Sequence, residues 1–220
     1  MPVSWRGPRP AVTVQQLREL LVAPSRGAMA FPSEPYDEVY PGIVISDAAT
    51  AFTLTLLRSL GVTHVLNAAH GIDNATYSGC YVNMHPCFYR SAGLALMRVP
   101  AEDAEECNIG VHFGDAAEFI DDALRHGGKV LVHCVQGMSR SAALVVAYLM
   151  IKQGMAVTKA LSTVRAKRAI FPNYGFLMQL IRLDEQLASG SCPPVSTSEV
   201  KGRRPAPPTN SGAHRSSRYP

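Results

Sequence analysis

Nine consecutive residues, His133-Cys134-Val135-Gln136-Gly137-Met138-Ser139-Arg140-Ser141, bring a thiol, a glycine and a guanidinium together. Six chain positions separate Cys134 from Arg140. The stretch follows the apolar run Val130-Leu131-Val132 and precedes a long apolar segment, so the pattern predicts strand, tight loop and helix. A loop of that kind turns successive backbone N–H groups toward one point. The helix behind it adds its own unsatisfied N–H groups and positive end. Gly137 admits a backbone conformation that a Cβ resists. Arg140 can fork onto two phosphoryl oxygens, which a lysine cannot match. The field of such an anion cradle lowers the pKa of a central cysteine and holds it as thiolate. A thiolate in that position can attack phosphorus in line and form a thiophosphate intermediate.

A cysteine that ends an apolar strand is, taken alone, most often a buried structural residue. The presence of His, Gly, Arg and Ser in the same compact spacing favours the chemical reading of Cys134. Neither G-x-x-x-x-G-K-[ST] nor G-x-G-x-x-G occurs in the sequence, so nucleotide-type phosphate loops are excluded. Cleavage of a phosphate ester also needs a proton for the leaving oxygen, which a carboxylic acid in reach would supply. Glu102, Asp103, Glu105 and Glu106 are the upstream candidates, and chemistry alone does not choose among them.

The elements that must position these groups can be read along the chain. Thr13 followed by Gln16 is a capping-box pattern and predicts a short helix with Leu17, Leu20 and Leu21 inward, stopped by Pro24. Residues 32–41 read as an irregular approach to the strand Ile43-Val44-Ile45. Asp47 can cap a helix over 48–59, and strands are expected at Val62 to Asn67 and Leu94 to Val99. Residues 70–92 carry no assignable pattern. A helix over 109–125 places Ile109, Phe113, Ala116, Ala117, Ile120 and Leu124 inward, and Gly127-Gly128 ends it. After the loop come helices over 140–153, 158–168 and 174–188, with Pro172-Asn173 as turn and cap. Alternating strands and helices followed by helices predict a single α/β domain, a central mostly parallel twisted sheet flanked by helices.

Composition agrees with one folded unit. The chain has 220 residues, 47% of them hydrophobic and 17% charged, which excludes a wholly disordered chain and a collagen. Residues 1–11 read as a flexible start, 12–189 as the domain, and 190–220 as a disordered tail with six Pro and six Ser. The tail holds five basic side chains against Glu199, which accounts for the whole net charge of +4. The rest is neutral, so no basic face calls for nucleic acid. The longest apolar run, Ala142 to Ile151, has 10 residues, against roughly 20 for a membrane span. Five cysteines without a C-x-x-C pair suggest a reducing compartment. Cys80, His85 and Cys87 form a C-x4-H-x-C cluster that lacks a fourth ligand at a recognisable spacing, so no metal is implied.

The His133-Cys134-x-x-Gly137-x-x-Arg140-Ser141 pattern resembles the cysteine-based protein tyrosine phosphatases. Ser139-Arg140-Ser141 and the following Ala147-Tyr148-Leu149-Met150 resemble the dual-specificity branch, and within it the small atypical, VHR-like subgroup. The resemblance runs from about Val12 to Leu187 and includes Leu66-Asn67-Ala68-Ala69 and Phe171-Pro172-Asn173-Tyr174-Gly175. It implies a phosphatase-type fold and hydrolysis of phosphotyrosine and of phosphoserine or phosphothreonine, without a cofactor. Cys134 is then the nucleophile and Arg140 the phosphate ligand. The other loop residues, Val135, Gln136, Gly137, Met138 and Ser139, contribute backbone. Pro100-x-x-Asp103, then Asn108-Ile109, is similar to the family's general-acid loop, which selects Asp103; it lies 31 positions before Cys134.

By the same resemblance Ser141 helps the thiolate leave, and a first-turn cap is its other reading. His133 orients the loop, and Asn67 braces it from a neighbouring strand, unless it is a strand-end turn residue. Arg168 meets a second phosphate or is a solvated helix-end arginine; Asn173 braces a loop or caps the last helix. A phosphorylated protein is the expected partner, a MAP kinase by family resemblance, with no nucleic acid or membrane. A monomer or weak homodimer, in the cytoplasm and also in the nucleus, is expected. Competing readings are a phosphoinositide or RNA 5′-phosphatase with the same chemistry and a phosphoprotein-binding scaffold. Val135, Gln136 and Met138 stand where highly charged lipid headgroups would favour lysines, which argues against that reading.

Overall fold

The structure is a computed structural model and describes residues 11–71, 81–83 and 85–190. Expectations for residues 1–10 and 191–220, and for Cys80, lie outside the described residues. The elements run α1 (Val14–Val22), β1 (Tyr36–Tyr40), β2 (Ile43–Ser46), α2 (Ala48–Ala51), α3 (Leu54–Ser59), β3 (His64–His70) and α4 (Pro86–Arg90). They continue with β4 (Ala95–Pro100), α5 (Phe113–Arg125), β5 (Val130–His133), α6 (Arg140–Gln153), α7 (Val157–Arg165) and α8 (Tyr174–Ala188).

The sheet order is β1-β2-β5-β3-β4. β2, β5, β3 and β4 are parallel, and β1 adds an antiparallel edge. All four residues of β5 are buried, as a central parallel strand covered on both faces requires. Its side chains alternate between two cores. Val130 and Val132 join Ile43, Ile45 and Leu66 in the larger core, against α5 to α8. Leu131 joins Val44 and Val65 in the smaller one, with Leu57 and Tyr89. α6 is buried from Arg140 through Met150, so it is the central helix rather than an amphipathic cover. Gly154, at φ +65°, closes it in the left-handed conformation that a side chain disfavours.

Local signals explain most boundaries. Thr13 and Gln16 exchange both capping-box bonds, Gln16 N–H to Thr13 Oγ1 at 3.2 Å and Thr13 N–H to Gln16 Oε1 at 2.9 Å. Four expectations need correction. Residues 36–40 form β1 rather than an irregular approach; an edge strand tolerates the charges and nearby prolines that disguise it. The helix expected over 48–59 breaks into α2 and α3 at Thr53, which takes a non-helical conformation and donates its hydroxyl to Ala49 O at 3.1 Å. Residues 109–112 form a 3₁₀ turn ahead of α5. α7 ends at Arg165, three residues short of the expected Arg168, and that shortfall decides what Arg168 does.

Candidate active site

The loop between β5 and α6 lies at the C-terminal end of the parallel strands, where open α/β sheets place ligands. Its outward carbonyls are all tied down. Val135 O accepts from Ala48 N at 3.0 Å, and Met138 O from Phe171 N at 2.9 Å. Gly137 O and Gln136 O accept from Arg168 Nε and Nη2 at 2.8 and 3.2 Å. With the carbonyls held outside, the amides are free to turn inward, and Gly137 N–H donates to Cys134 Sγ at 3.2 Å. Gly137 sits at φ +68°, and a Cβ on it would run into the Ser46 carbonyl. That position requires glycine for both reasons.

Cys134 is 2% exposed. Burial pushes its thiol up, but opposing causes prevail and hold it below the usual range: the Arg140 guanidinium, the Ser141 hydroxyl, and the Ser141 and Met138 amides. Ser141 donates its hydroxyl to the sulfur at 3.4 Å. Ser139 stands at the N-cap of α6 without capping it, because its hydroxyl donates instead to Asp103 Oδ1 at 2.7 Å. With no cap from Ser139, the Ser141 N–H at the start of α6 turns to the Cys134 sulfur, the position where an anion is held. His133 is fully buried. Desolvation drives its pKa down to about 4, so it is neutral at pH 7, with Nδ1 3.2 Å from Cys134 O.

Arg140 is the first residue of α6, is 2% exposed and donates Nη1–H to Ala101 O at 3.1 Å. That bond ties the guanidinium to the segment carrying the acidic candidates. Among those candidates the geometry singles out Asp103. Its Oδ1 accepts from Ser139 and from Asn173 Nδ2 at 3.0 Å, and its Oδ2 lies 3.6 Å from Arg140 Nε. α8 presses on the same segment. A Cβ on Gly175 would collide with the Glu105 backbone, and Gln179 clasps Cys107 O and Gly110 N at 2.8 and 2.7 Å. Cys134, Arg140, Asp103 and Asn173 line one cavity of about 470 Å³, together with Met138 and Phe171. Such a site can bind a tetrahedral dianion, present a thiolate to it from below and a carboxyl group from the side.

Asn173 fulfils both readings at once, since its Oδ1 also caps α8 by accepting from Phe176 N at 3.0 Å. Two expectations are corrected. Asn67 pairs with His133 in the sheet, but its amide does not touch the loop: Nδ2 donates to Val82 O at 2.6 Å and Oδ1 accepts from Ala69 N at 2.8 Å. It fastens the end of β3 instead. Arg168 is neither solvated nor a free cation at the mouth. Besides its bonds to the loop, Nη1 donates to Glu34 O at 3.0 Å and to Asp37 Oδ2 at 2.7 Å, and the side chain is 1% exposed. Because α7 stops early, Arg168 turns under the loop and supports it from outside. Sequence reading missed Ser139 as a holder of Asp103 and Asp37 as the partner of Arg168; contacts 36 and 131 positions apart leave no local signal. In the C-x4-H-x-C cluster, His85 caps α4 through Cys87 N and Cys87 is exposed.

Comparison with known proteins gives the family and the fold. Residues 44–186 match the model of the dual specificity phosphatase catalytic domain. The chain belongs to the dual specificity phosphatase family. It is 43% identical to human dual specificity protein phosphatase 26 over 155 residues, 70% of this chain and 69% of that one. Among solved structures, human DUSP28 superposes with a TM-score of 0.59 at 31% identity, covering 72% of this chain and 99% of that one. PTPMT1, solved with PI(5)P, has a TM-score of 0.61 at 18% identity over 71% of this chain and 99% of that one, and shares the fold. The α/β fold and the family make this phosphatase a hydrolase of phosphoprotein monoesters.

Proposed function

We propose that the phosphatase hydrolyses phosphotyrosine and phosphoserine or phosphothreonine esters through a cysteinyl-phosphate on Cys134. The observation that carries this reading is the convergence of a thiolate-stabilising loop, the Arg140 guanidinium and a doubly anchored Asp103 on one cavity. The loop amides, the uncapped start of α6 and Arg140 bind the phosphoryl oxygens, most strongly as charge spreads over them in the transition state. The Cys134 thiolate attacks phosphorus, the ester P–O bond breaks, and Asp103 gives its proton to the leaving oxygen. Asp103 then takes a proton from water as the water oxygen attacks phosphorus. The P–S bond breaks, and Ser141 donates to the departing sulfur. Neutral His133 positions the loop and does not shuttle protons.

Two variants test the assignment. Cys134→Ser abolishes turnover of phosphotyrosyl and phosphothreonyl peptides; undiminished activity refutes the mechanism. Asp103→Asn slows poor leaving groups much more than good ones, and equal losses across leaving groups unseat Asp103. Among the described residues Glu102 and Glu106 have no such anchoring, while Glu105 lines the cavity and is the control variant.

The substrate is a phosphorylated protein, and family resemblance suggests a MAP kinase. Trapping with Cys134→Ser tests this, and a trap that recovers no such kinase from a cell rich in its active form contradicts it. A thiolate of this kind needs a reducing surrounding, so we assign the chain to the cytoplasm and nucleus; a tagged chain found in neither contradicts that. The lipid or RNA reading is not favoured, because Val135, Gln136 and Met138 add no cation to the loop.

A further inference from the structure

A second cleft, of about 390 Å³, shares the walls Phe31, Val135, Gln136 and Met138 with the catalytic cavity. An extended substrate whose phosphorylated residue enters the first would lay a neighbouring side chain in the second. Residues two apart in an extended chain share a face, so the positions two before and two after the phosphorylated residue are the ones that reach it.

Three features define the chemistry of this cleft. Its cation, the single one among the described lining residues, is Arg168, and that charge is occupied. The guanidinium makes four hydrogen bonds, to Gly137 O, Glu34 O, Asp37 Oδ2 and Gln136 O, and is compensated by Asp37 at 2.7 Å. The other charged side chains of the lining, Glu34 and Asp47, are acidic. The remaining wall is mostly apolar, with Pro32, Pro35 and Met138 around Phe31, which is 63% exposed. A phosphate brings close to two negative charges. Here it would face two carboxylates and a cation that already has four of its five N–H groups engaged within the protein and its charge paired with Asp37. An apolar side chain would instead cover the open ring of Phe31.

Resting on the phosphatase reading above, the geometry points to a specificity subsite. The cleft accepts an apolar side chain that flanks the phosphorylated residue and rejects a second phosphate. Phe31 is the platform, Glu34 and Asp47 provide the repulsion, and the Asp37–Arg168 pair removes the attraction a free arginine would offer. The preferred substrate is thus a singly phosphorylated segment with a bulky apolar neighbour.

The test uses the full chain and three phosphotyrosyl peptides, identical except for leucine, alanine or phosphothreonine two residues before the phosphotyrosine; the set is repeated two residues after. Loss of the phosphotyrosyl phosphate is read by mass spectrometry. At one of the two positions kcat/KM is expected to be about fivefold higher for leucine than for alanine. For phosphothreonine it is expected about threefold lower than for alanine. Phe31→Ala removes the leucine advantage, and Glu34→Lys raises phosphothreonine relative to alanine by about threefold. A phosphothreonine peptide equal to or better than the alanine peptide at both positions overturns the subsite. So does a set of ratios that neither variant shifts. Wild-type protein that hydrolyses neither these peptides nor p-nitrophenyl phosphate overturns the phosphatase reading itself. Hydrolysis with the phosphothreonine peptide preferred overturns the subsite alone.

Discussion

Replacing Arg168 by methionine keeps the apolar length of the side chain and removes its guanidinium. Four hydrogen bonds disappear, one of them the ion pair with Asp37, and the carbonyls of Gln136 and Gly137 lose their donors. Breaking a buried pair by removing one partner costs about 3–5 kcal/mol. The Asp37 side chain is 23% exposed and regains water, so the low end, about 3 kcal/mol, applies. For a chain of this size that lowers Tm by about 6–12 °C. Function changes for a separate reason. Untethered carbonyls at Gln136 and Gly137 let the loop amides turn away from the sulfur, so the Cys134 pKa rises. Iodoacetamide alkylation followed against pH reads that rise directly, in parallel with thermal melts. The double variant Arg168→Met/Asp37→Asn removes the orphaned charge and recovers part of the stability, while the thiol shift persists. If Arg168→Met melts like the parent and Cys134 titrates unchanged, Arg168 is not the support of the loop. A loss confined to KM for doubly phosphorylated peptides would restore its role as a second-phosphate ligand.

Two further outcomes follow from the same geometry. His133 is held at about 4 when folded, against 6.5 for an ordinary histidine, so the unfolded chain binds the extra proton between those values. Stability therefore falls as pH drops from 6.5 toward 4, by about 3 kcal/mol in all. Denaturant melts across that range measure the slope, and in His133→Gln the histidine's share of it should vanish; an identical slope removes His133 as its source. Gly175→Ala forces a Cβ against the Glu105 backbone and displaces the segment holding Asp103. Turnover of poor leaving groups should drop by about a hundredfold, the low end of what a positioned acid contributes, with Cys134 alkylation unchanged. Parallel losses in both readouts would mean a general disturbance of the fold.

Much of this protein can be read from short-range pattern. Val130 to His133 as a strand, the loop from Cys134 and the helix from Arg140 announce themselves through hydrophobic period, a glycine at the tight turn and six-residue spacing. The residue types that give Cys134 and Arg140 their chemistry are equally local, because both stand in one short stretch at a fixed spacing. The capping box at Thr13 and the cap at Asn173 are legible for the same reason: each bond joins residues three apart.

What lies beyond that range was decided by the tertiary structure. Resemblance to a family loop points to Asp103, but on chemistry alone it stands out from Glu102, Glu105 and Glu106 only when Ser139 and Asn173 reach it across 36 and 70 positions. Arg168 reads as a helix-end arginine until α7 stops short and Asp37, 131 positions away, draws its charge beneath the loop. β1 is invisible as a strand because its pattern is that of an edge, and edges are defined by their neighbours. A sequence records which groups can ionise, donate or turn the backbone. Whether a charge is free to meet a substrate or is neutralised inside the fold depends on partners that the folded chain brings together.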